Sequence, residues 1–345
     1  MLLKNWSCSD PIVVTVPDHT RQLDTFQVLE ILQKHCTSIQ KVVIGLGLHR
    51  QMTEDELGTL LDYSKNERLV QHDPDDCQEV ILADGRVFGL SKWLYDGAWS
   101  ITVGVMEIHQ YAGVSGGFKG ISVGCGSRDF IQYIHSREMV CHSKVSVGKV
   151  VDNPFRNEIE NLGQASNCRL ALAYVPSLEE WWLGHPSALL SEAQKSIPMW
   201  HFVDKVYDGA YLPVPSSKAK SFYQASRAAT YLALSPNPPL KIGAEIWLHA
   251  EMIEGLGSEK GFVQSLQKFQ PPWQEVLDGE EPRGAGAQRL LMLALLSQRF
   301  HLKVVGCKNP EIFTKIGIEA RSDVPKIPSN WLKVANIFES IPQLQ

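Results

Sequence analysis

The stretch PIVVTVPDHTR, residues 11–21, decides how the N-terminal part of the chain folds. It opens with a short apolar run rich in β-branched residues, which is typical of a buried strand, and a proline closes that run. The next stretch, TFQVLEILQKH (residues 25–35), has helical spacing of its apolar residues, and KVVIGLG (residues 41–47) is a second buried strand. This alternation of strands and helices predicts a largely parallel α/β sheet.

A helix start is predicted just after the second strand. Thr53 is followed three residues later by Glu56, which is the capping-box pattern. The intervening loop, GLHRQM, therefore lies at the carboxyl end of the strand. Ligands bind at that end of parallel sheets.

The chain is long enough for two domains, and the stretch SPNPPL (residues 235–240) predicts a stiff linker between them. We predict an α/β fold of two α/β domains, with residues 1–235 as the N-terminal catalytic domain and residues 238–325 as a smaller C-terminal domain. Residues 326–345 are predicted to pack back on the first domain through a terminal helix with one buried stripe. The functional site is expected in the cleft between the domains.

Composition excludes several classes of partner. The formal net charge is -5 and no basic block is present, which argues against nucleic acid or an anionic membrane as the main partner. The seven cysteines are scattered without a CxxC pair, so a disulfide framework or a thiolate zinc site is not predicted. A reducing, cytoplasmic location fits this pattern. The longest apolar run, at residues 290–296, is too short to span a membrane.

Three loops that follow strands carry polar residues: PDHTR (residues 17–21), GLGLHR (residues 45–50) and HQYAGVSGGFKG (residues 109–120). The second loop lacks the last glycine of a dinucleotide-binding motif, because Arg50 stands there. The third differs from a P-loop, because Lys119 is followed by Gly120 instead of Ser or Thr and the spacing from the first glycine is one residue short. These loops therefore indicate another kind of site.

These motifs, followed by IHSRE and DNPFRNEIE in that order, resemble the nickel-pincer nucleotide-dependent lactate racemase family. The gaps of ten and sixteen residues between His109, Lys119 and His135 are the specific part of the likeness. The stretch DNPFRNEI by itself is most simply a turn and a helix start.

The resemblance implies a role for each matched residue. Lys119 would carry the nickel-pincer nucleotide covalently, as pyridinium-3,5-bisthiocarboxylic acid mononucleotide with nickel, and His135 would be the protein's metal ligand. His49 and His109 would be the catalytic acid/base pair. The other implied residues contact the cofactor (Gly116, Gly117, Asp18, Thr20) or the substrate (Arg21, Gln288, Arg289). The family's substrate-binding lysine of the second domain has no counterpart near Gln288, which favours a 2-hydroxy acid other than lactate.

The chemistry fits these residue types. Loss of hydride from carbon 2 of a 2-hydroxy acid yields a planar 2-keto acid, and proteins need a cofactor to accept hydride. The hydroxyl proton also needs a base poised near neutral pH, and histidine suits that role. We predict an isomerase that racemises or epimerises a small 2-hydroxy acid and depends on cofactor-maturation enzymes. The alternatives are an epimerase of sugar acids or bulky 2-hydroxy acids with the same cofactor, and a nucleotide-binding module without redox chemistry.

Overall fold

The computed structural model describes residues 6–21, 23–61 and 68–345. The chain forms two compact units, each assembled from separate stretches. Unit 1 comprises Met1–Glu107, Val114–His135 and Val150–Ile197, and unit 2 comprises Ile108–Gly113, Ser136–Lys149 and Pro198–Gln345. The sequence instead placed the domain boundary at residues 235–238, because of its prolines.

The elements are numbered along the whole chain. The strands are β1 (Cys8–Pro17), β2 (Cys36–Gly45), β3 (Leu69–Gln71), β4 (Cys77–Ile81), β5 (Val87–Ser91), β6 (Trp99–Val105), β7 (Ile108–His109), β8 (Gly113–Val114), β9 (Cys168–Val175), β10 (Glu180–Gly184), β11 (Trp200–Val203), β12 (Tyr207–Pro213), β13 (Leu240–His249), β14 (His301–Val305), β15 (Glu319–Arg321), β16 (Leu332–Lys333) and β17 (Ile341–Leu344). The helices are α1 (Thr25–His35), α2 (Glu54–Leu57), α3 (Lys119–Ser122), α4 (Arg128–Ile134), α5 (Arg137–Val140), α6 (Pro154–Gln164), α7 (Pro186–Ser196), α8 (Phe222–Ala233), α9 (Lys260–Lys268), α10 (Gln274–Asp278), α11 (Gln288–Ser297) and α12 (Pro310–Lys315).

Unit 1 is built on a sheet with the strand order β10-β9-β6-β1-β2-β3 among the described residues. All neighbours in it are parallel except β9 and β10, which are antiparallel. Val13 and Val14 of β1 are both fully buried, so this strand is covered on both faces, as parallel strands are. The predicted α/β fold class is therefore confirmed.

The local predictions for the first two strands and their helices hold. Helix α1 spans the predicted residues and is capped by Asp24, whose carboxylate accepts a hydrogen bond from the backbone N–H of Gln27. Helix α2 has the predicted capping box, in which Thr53 and Glu56 bond each other's backbone N–H groups. Both loops, PDHTR and GLHR, consequently follow a strand of the parallel sheet.

The strand order of this sheet shows where its connections run to opposite sides of β1. Strand β1 has β2 on one side and β6 on the other, so the chain winds in opposite directions from β1. In open α/β sheets the crevice beyond the carboxyl ends of the strands at such a switch point is where ligands bind. The loops after β1, β2 and β6 carry Asp18, His49 and Glu107, respectively.

Unit 2 has its own parallel sheet, with the strand order β15-β14-β13-β12-β16, and a parallel pair of β11 and β17. The predicted terminal helix is wrong: residues 332–333 and 341–344 are strands that pair with β12 and β11. The apolar residues of the predicted stripe lie beside these strands, where Trp331 packs against Trp247 and Phe338 packs against Tyr231. Both partner strands lie within the predicted first domain, residues 1–235, but they belong to unit 2.

Two observations concern the whole chain. All seven cysteines lie among the described residues and have free thiols. Within the described ranges, no helix has the length and apolar character that a bilayer-spanning segment requires.

Candidate active site

Asp18 lies in the loop directly after β1 and is buried, with 7% of its surface exposed. Its Oδ1 accepts hydrogen bonds from the backbone N–H of Thr20 at 3.1 Å and from the Thr20 hydroxyl at 2.5 Å. Its Oδ2 lies 2.6 Å from Nδ1 of His49, which is in the loop after β2. The carboxylate therefore holds two neighbouring loops together at the carboxyl edge of the sheet.

The Asp18 carboxylate is ionised, and this fixes the tautomer of His49. Burial opposes ionisation, but hydrogen bonds and charge from His49, with help from Thr20 and Arg21, prevail and lower the pKa of Asp18 to about 2. The partner of such a carboxylate is a protonated Nδ1, so Nε2 of neutral His49 carries the lone pair. The imidazole is about half exposed, and a neutral imidazole of this tautomer can accept a proton at Nε2.

Arg21 connects the loop after β1 to the loop after β6. Its Nη1 donates to Oε1 of Glu107 at 2.9 Å, and both side chains are about a quarter exposed. A guanidinium has five N–H donors, so one bond to Glu107 leaves it able to grip a carboxylate ligand. Glu107 thus orients Arg21.

Ser115 closes the loop that runs from residue 107 to residue 115. Its backbone N–H donates to the carbonyl of Glu107 at 2.7 Å, and its hydroxyl donates to the carbonyl of Val105 at 2.7 Å. The same hydroxyl oxygen accepts from the backbone N–H of Glu107 at 2.9 Å. Sequence analysis assigned no role to Ser115, although its buried hydroxyl fixes both ends of this loop.

The glycine pair before Lys119 adopts conformations that other residues rarely reach. Gly116 has φ of +85° and Gly117 has φ of +59°. A Cβ on Gly117 would also lie 2.8 Å from the buried Leu190, so the loop packs closely against α7. Lys119, which is half-buried, begins α3, and its backbone N–H donates to the carbonyl of Gly116 at 3.2 Å.

Arg156 fixes the same loop through hydrogen bonds to its backbone. Sequence patterns did not predict this role. It is 1% exposed, and its guanidinium donates to the backbone carbonyls of Val114 and, at 3.4 Å, Gly116. Burial lowers its pKa to about 10, so it stays charged at neutral pH.

The predicted helix start is confirmed, because the Asn153 side chain caps α6 and Pro154 opens it.

His135 is half-buried at the end of α4, and its orientation suits a metal ligand. Its Nδ1 lies 2.8 Å from the carbonyl oxygen of Ile131, so Nδ1–H is the donor and Nε2 carries the lone pair. The ring also packs edge-on against Phe155, with centroids 5.2 Å apart. A second-shell bond of this kind commonly fixes a ligating histidine. The described ranges contain no group of three or more His, Cys, Asp or Glu side chains that could hold a metal ion.

The remaining predicted residues belong to unit 2. His109 is half-buried, and its Nδ1 accepts hydrogen bonds from the backbone N–H groups of Tyr111 and Ala112 at 3.3 and 3.1 Å. Arg289 is 4% exposed, and its Nη1 donates to the side-chain oxygen of Gln110. Gln288, one residue earlier, is half-buried. The burial of Arg289 favours an internal role over contact with a ligand.

The predicted residues are divided between the two units. Asp18, Thr20 and His49 are joined by hydrogen bonds, with Arg21 close enough to affect the pKa of Asp18. The glycine pair directly precedes Lys119 in unit 1. His135 also belongs to unit 1. His109, Gln288 and Arg289 form the unit 2 part of the predicted site.

Comparison with known proteins gives a consistent result for the N-terminal part. Residues 3–148 match the family model described as the lactate racemase N-terminal domain. This part of the chain is similar to the lactate racemase N-terminal domain. The resemblance found in the motifs is thereby confirmed, since this domain contains the PDHTR, GLHR and glycine-pair loops.

Two curated lactate racemases align with part of this chain. The lactate racemase of Thermoanaerobacterium thermosaccharolyticum is 27% identical over 175 residues, which cover 48% of this chain and 41% of that protein. The lactate racemase of Lactiplantibacillus plantarum is 27% identical over 159 residues, covering 43% of this chain and 38% of that protein. The aligned region thus spans about two fifths of each relative.

Solved structures share the fold over the whole chain. The lactate racemase apoprotein from Thermoanaerobacterium thermosaccharolyticum superposes with a TM-score of 0.83 at 19% identity, covering 99% of this chain and 88% of its own. A crystal structure of a Thermotoga maritima protein gives a TM-score of 0.73 at 15% identity and covers 100% of this chain and 96% of its own. At these identities the likeness establishes the fold alone.

Proposed function

We propose that the protein is a racemase or epimerase of 2-hydroxy acids that uses the nickel-pincer nucleotide. The observation that carries this proposal is the Asp18–His49 pair, a general base held by a buried carboxylate at the ligand-binding edge of the sheet. A module that only cradled a phosphate would need no oriented base there. The match of residues 3–148 to the lactate racemase N-terminal domain supports the same choice.

The residues of the glycine loop suit a covalently attached cofactor. Lys119 would hold the nucleotide, and Gly116 and Gly117 would supply the positive-φ turn before it while packing against Met106 and Leu190. His135 would contribute Nε2 to the nickel. When bound, this cofactor supplies a hydride acceptor, which no side chain can provide.

The other residues of unit 1 would bind and orient the substrate. His49 takes the hydroxyl proton at Nε2 and returns it there, while Asp18 holds the ring and stabilises the imidazolium. Arg21 binds the carboxylate of the substrate through its planar fork. Since both Asp18 oxygens are engaged by Thr20 and His49, we assign Asp18 and Thr20 to the positioning of His49 instead of to the cofactor.

The proposal names the 2-hydroxy acid class and not lactate itself. Helix α11, which carries the candidate Gln288, has the sequence QRLLMLALLS without a lysine. Gln288 is half-buried and stays a candidate substrate ligand. Enzymes that mature the cofactor are the expected partners, in a cytoplasmic location.

The test is co-expression with enzymes that build the nickel-pincer nucleotide, followed by intact-mass and nickel analysis. Wild-type protein should gain the mass of the cofactor and bind nickel, and Lys119→Ala should gain neither. His135→Ala should keep the mass increment and lose nickel. The matched control is Lys195→Ala, on the exposed surface of α7, which should behave as wild type.

Activity completes the test with a racemisation assay over a panel of 2-hydroxy acids of increasing size. Loaded wild-type protein should interconvert the enantiomers of at least one member. Full activity without nickel or a Lys119 adduct would contradict the proposed cofactor. Loading of the cofactor without turnover of any 2-hydroxy acid would contradict the substrate class.

A further inference from the structure

A tight turn of sequence VGCG, residues 123–126, ends α3, the helix that begins at Lys119. The backbone N–H groups of Val123 and Gly124 both donate to the carbonyl of Lys119, at 3.0 and 3.2 Å. The Cys125 carbonyl accepts from the backbone N–H of Ser91 at 2.8 Å, at the end of β5. The VGCG turn is therefore joined through its backbone to the residue that would carry the cofactor, and it lies wholly within unit 1.

One carbonyl of the VGCG turn holds the loop after β2, which carries His49. The Gly124 carbonyl accepts from the backbone N–H of Gly47 at 2.9 Å, and the backbone N–H of His49 donates to the carbonyl of Leu46 at 2.9 Å. The two backbones meet directly, since a Cβ on Gly45 would lie 3.1 Å from the Cα of Gly124. With no side chain between them, a shift of the turn would move the His49 loop as well.

His72, directly after β3, holds the end of the VGCG turn. Its Nε2 lies 2.9 Å from the carbonyl oxygen of Gly126, so Nε2–H is the donor. Its own backbone N–H donates to the carbonyl of Ile44 in β2 at 3.0 Å. His72 therefore joins the turn to the strand from which the His49 loop emerges.

The imidazole of His72 is a costly group at this position. The residue is 2% exposed, and within the described part of the chain its Nδ1 has no hydrogen-bond partner. Burial lowers the pKa of His72, although the bond to Gly126 and the charge of Asp73 act in the opposite direction, so the ring is neutral at neutral pH. An apolar side chain of similar size would leave no buried unsatisfied nitrogen. The contribution of the histidine is thus the N–H that it donates to Gly126.

We propose that His72 is a positioning residue for the reaction, which acts through the VGCG turn on the loop that carries His49. Its bond to Gly126 would set the place of this loop relative to Lys119. The proposal rests on the proposed function. A base must lie within hydrogen-bond reach of the proton it takes, and a misplacement of about 1 Å can cost about 10²-fold in rate. Because His72 acts through backbone groups, its loss should lower kcat and leave both KM and the loading of Lys119 unchanged.

Hydrogen exchange of the full-length apoprotein, read by mass spectrometry, tests this link without any activity. In His72→Leu the peptide that contains Gly47 should exchange at least about tenfold faster than in wild type, because its partner carbonyl at Gly124 is no longer held in place. His72→Gln, which can still donate an N–H to Gly126, should restore slow exchange. A peptide from α1, also in unit 1, should be unchanged in both variants. Wild-type exchange at Gly47 in His72→Leu would overturn the proposal.

Kinetics of the cofactor-loaded enzyme give a second readout, at a temperature where urea curves show every variant to be fully folded. His72→Leu should lose about 10- to 10²-fold in kcat, with KM and the amount of Lys119 adduct as in wild type, and His72→Gln should recover most of the loss. The matched control is His201→Leu, at an exposed position of β11, which should behave as wild type.

Three kinetic results would contradict the positioning role: wild-type kcat in His72→Leu, equal losses in the Leu and Gln variants, or a rise in KM alone. If loaded wild-type enzyme racemises no 2-hydroxy acid, the proposed function fails. The exchange measurement still decides in that case whether His72 holds the His49 loop.

Discussion

At the scale of single residues, Asp18 has a hydrogen-bond partner on each oxygen although its side chain is only 6% exposed. A buried carboxylate is costly unless it is satisfied in this way. Thr20 holds one oxygen and His49 the other, so the orientation of the base depends on a short chain of polar contacts. Two predictions follow from this geometry.

Asp18→Asn should keep the shape of the site and change the hydrogen bond to His49. An amide lacks the charge that stabilises the imidazolium, and it can present its NH₂ to Nδ1 and reverse the tautomer. We expect kcat of the loaded enzyme to fall by about 10²- to 10⁴-fold with a smaller change in KM. Thr20→Val, which removes only the hydroxyl bond to Asp18, should have a milder effect. A KM increase without loss of kcat would point to a cofactor or substrate contact instead.

The same pair should be visible in the acid stability of the apoprotein. The pKa of Asp18 is about 2 in the folded protein against an ordinary 3.8, so its stabilising contribution is present above about pH 4 and is lost as the pH falls towards 2. The size is about 2 kcal/mol. Urea unfolding of wild type and Asp18→Asn at pH 5 and pH 2 should show the difference between them shrinking by that amount. A constant difference would mean that the carboxylate is not preferentially ionised in the folded state.

At the scale of elements, the loop that carries Lys119 depends on a helix that follows it in sequence. Arg156 in the first turn of α6 donates to two carbonyls of the loop, at Val114 and Gly116. Glu160, one turn later, lies 3.4 Å from the same guanidinium and accepts from the Ser187 hydroxyl at 2.8 Å. The motif DNPFRNEIE therefore shapes the cofactor loop while its own residues form an ordinary helix start.

Arg156→Lys should weaken this loop while keeping the positive charge. A lysine cannot donate to two carbonyls with the fixed geometry of a guanidinium, so buried carbonyl groups lose partners. We expect a loss of about 2–4 kcal/mol of unfolding free energy and a lower yield of Lys119 adduct. Urea unfolding and intact mass measure the two effects. The control is Arg169→Lys on the exposed part of β9, and equal behaviour of the two variants would refute the role of Arg156.

Local patterns were sufficient to predict several of these elements. Helix α1 has the predicted bounds because its apolar spacing and its residues at the ends are local signals. The capping box of α2 is similarly contained in four residues. Arg156 was not predictable, because its partners at 114 and 116 are carbonyl groups, which every residue has and no sequence pattern marks.

At the scale of the whole molecule, the proline-rich stretch was interpreted as a linker but is held in place by the end of the chain. The backbone N–H of Asn237 donates to the Gln343 side chain at 2.8 Å, and its side chain donates to the carbonyl of Leu344 at 2.8 Å. Prolines stiffen a segment both in a linker and in a segment that is bonded to the rest of the protein. The composition of this stretch could not reveal these partners, which lie more than a hundred residues later in the chain.

The division into units also depends on contacts between residues that are far apart in the sequence. Residues 108–113 and 136–149 lie between segments of unit 1 in the sequence but belong to unit 2. The amino-acid composition does not mark these boundaries. Their assignment depends on pairs such as Gln110 with Arg289, which are separated by 179 positions. Sequence periodicity describes single elements and has no access to pairs at that distance.

The turn around His109 has a consequence for the order of protein synthesis. A ribosome completes residues 108–112 well before it makes Tyr231, Thr230 and Arg289, which hold that turn in place. Domains formed early in translation often fold before the rest of the chain emerges. Here the turn lacks its anchors until residue 289 has left the exit tunnel. The geometry of His109 is therefore a property that the nascent chain acquires late, after most of the protein has been made.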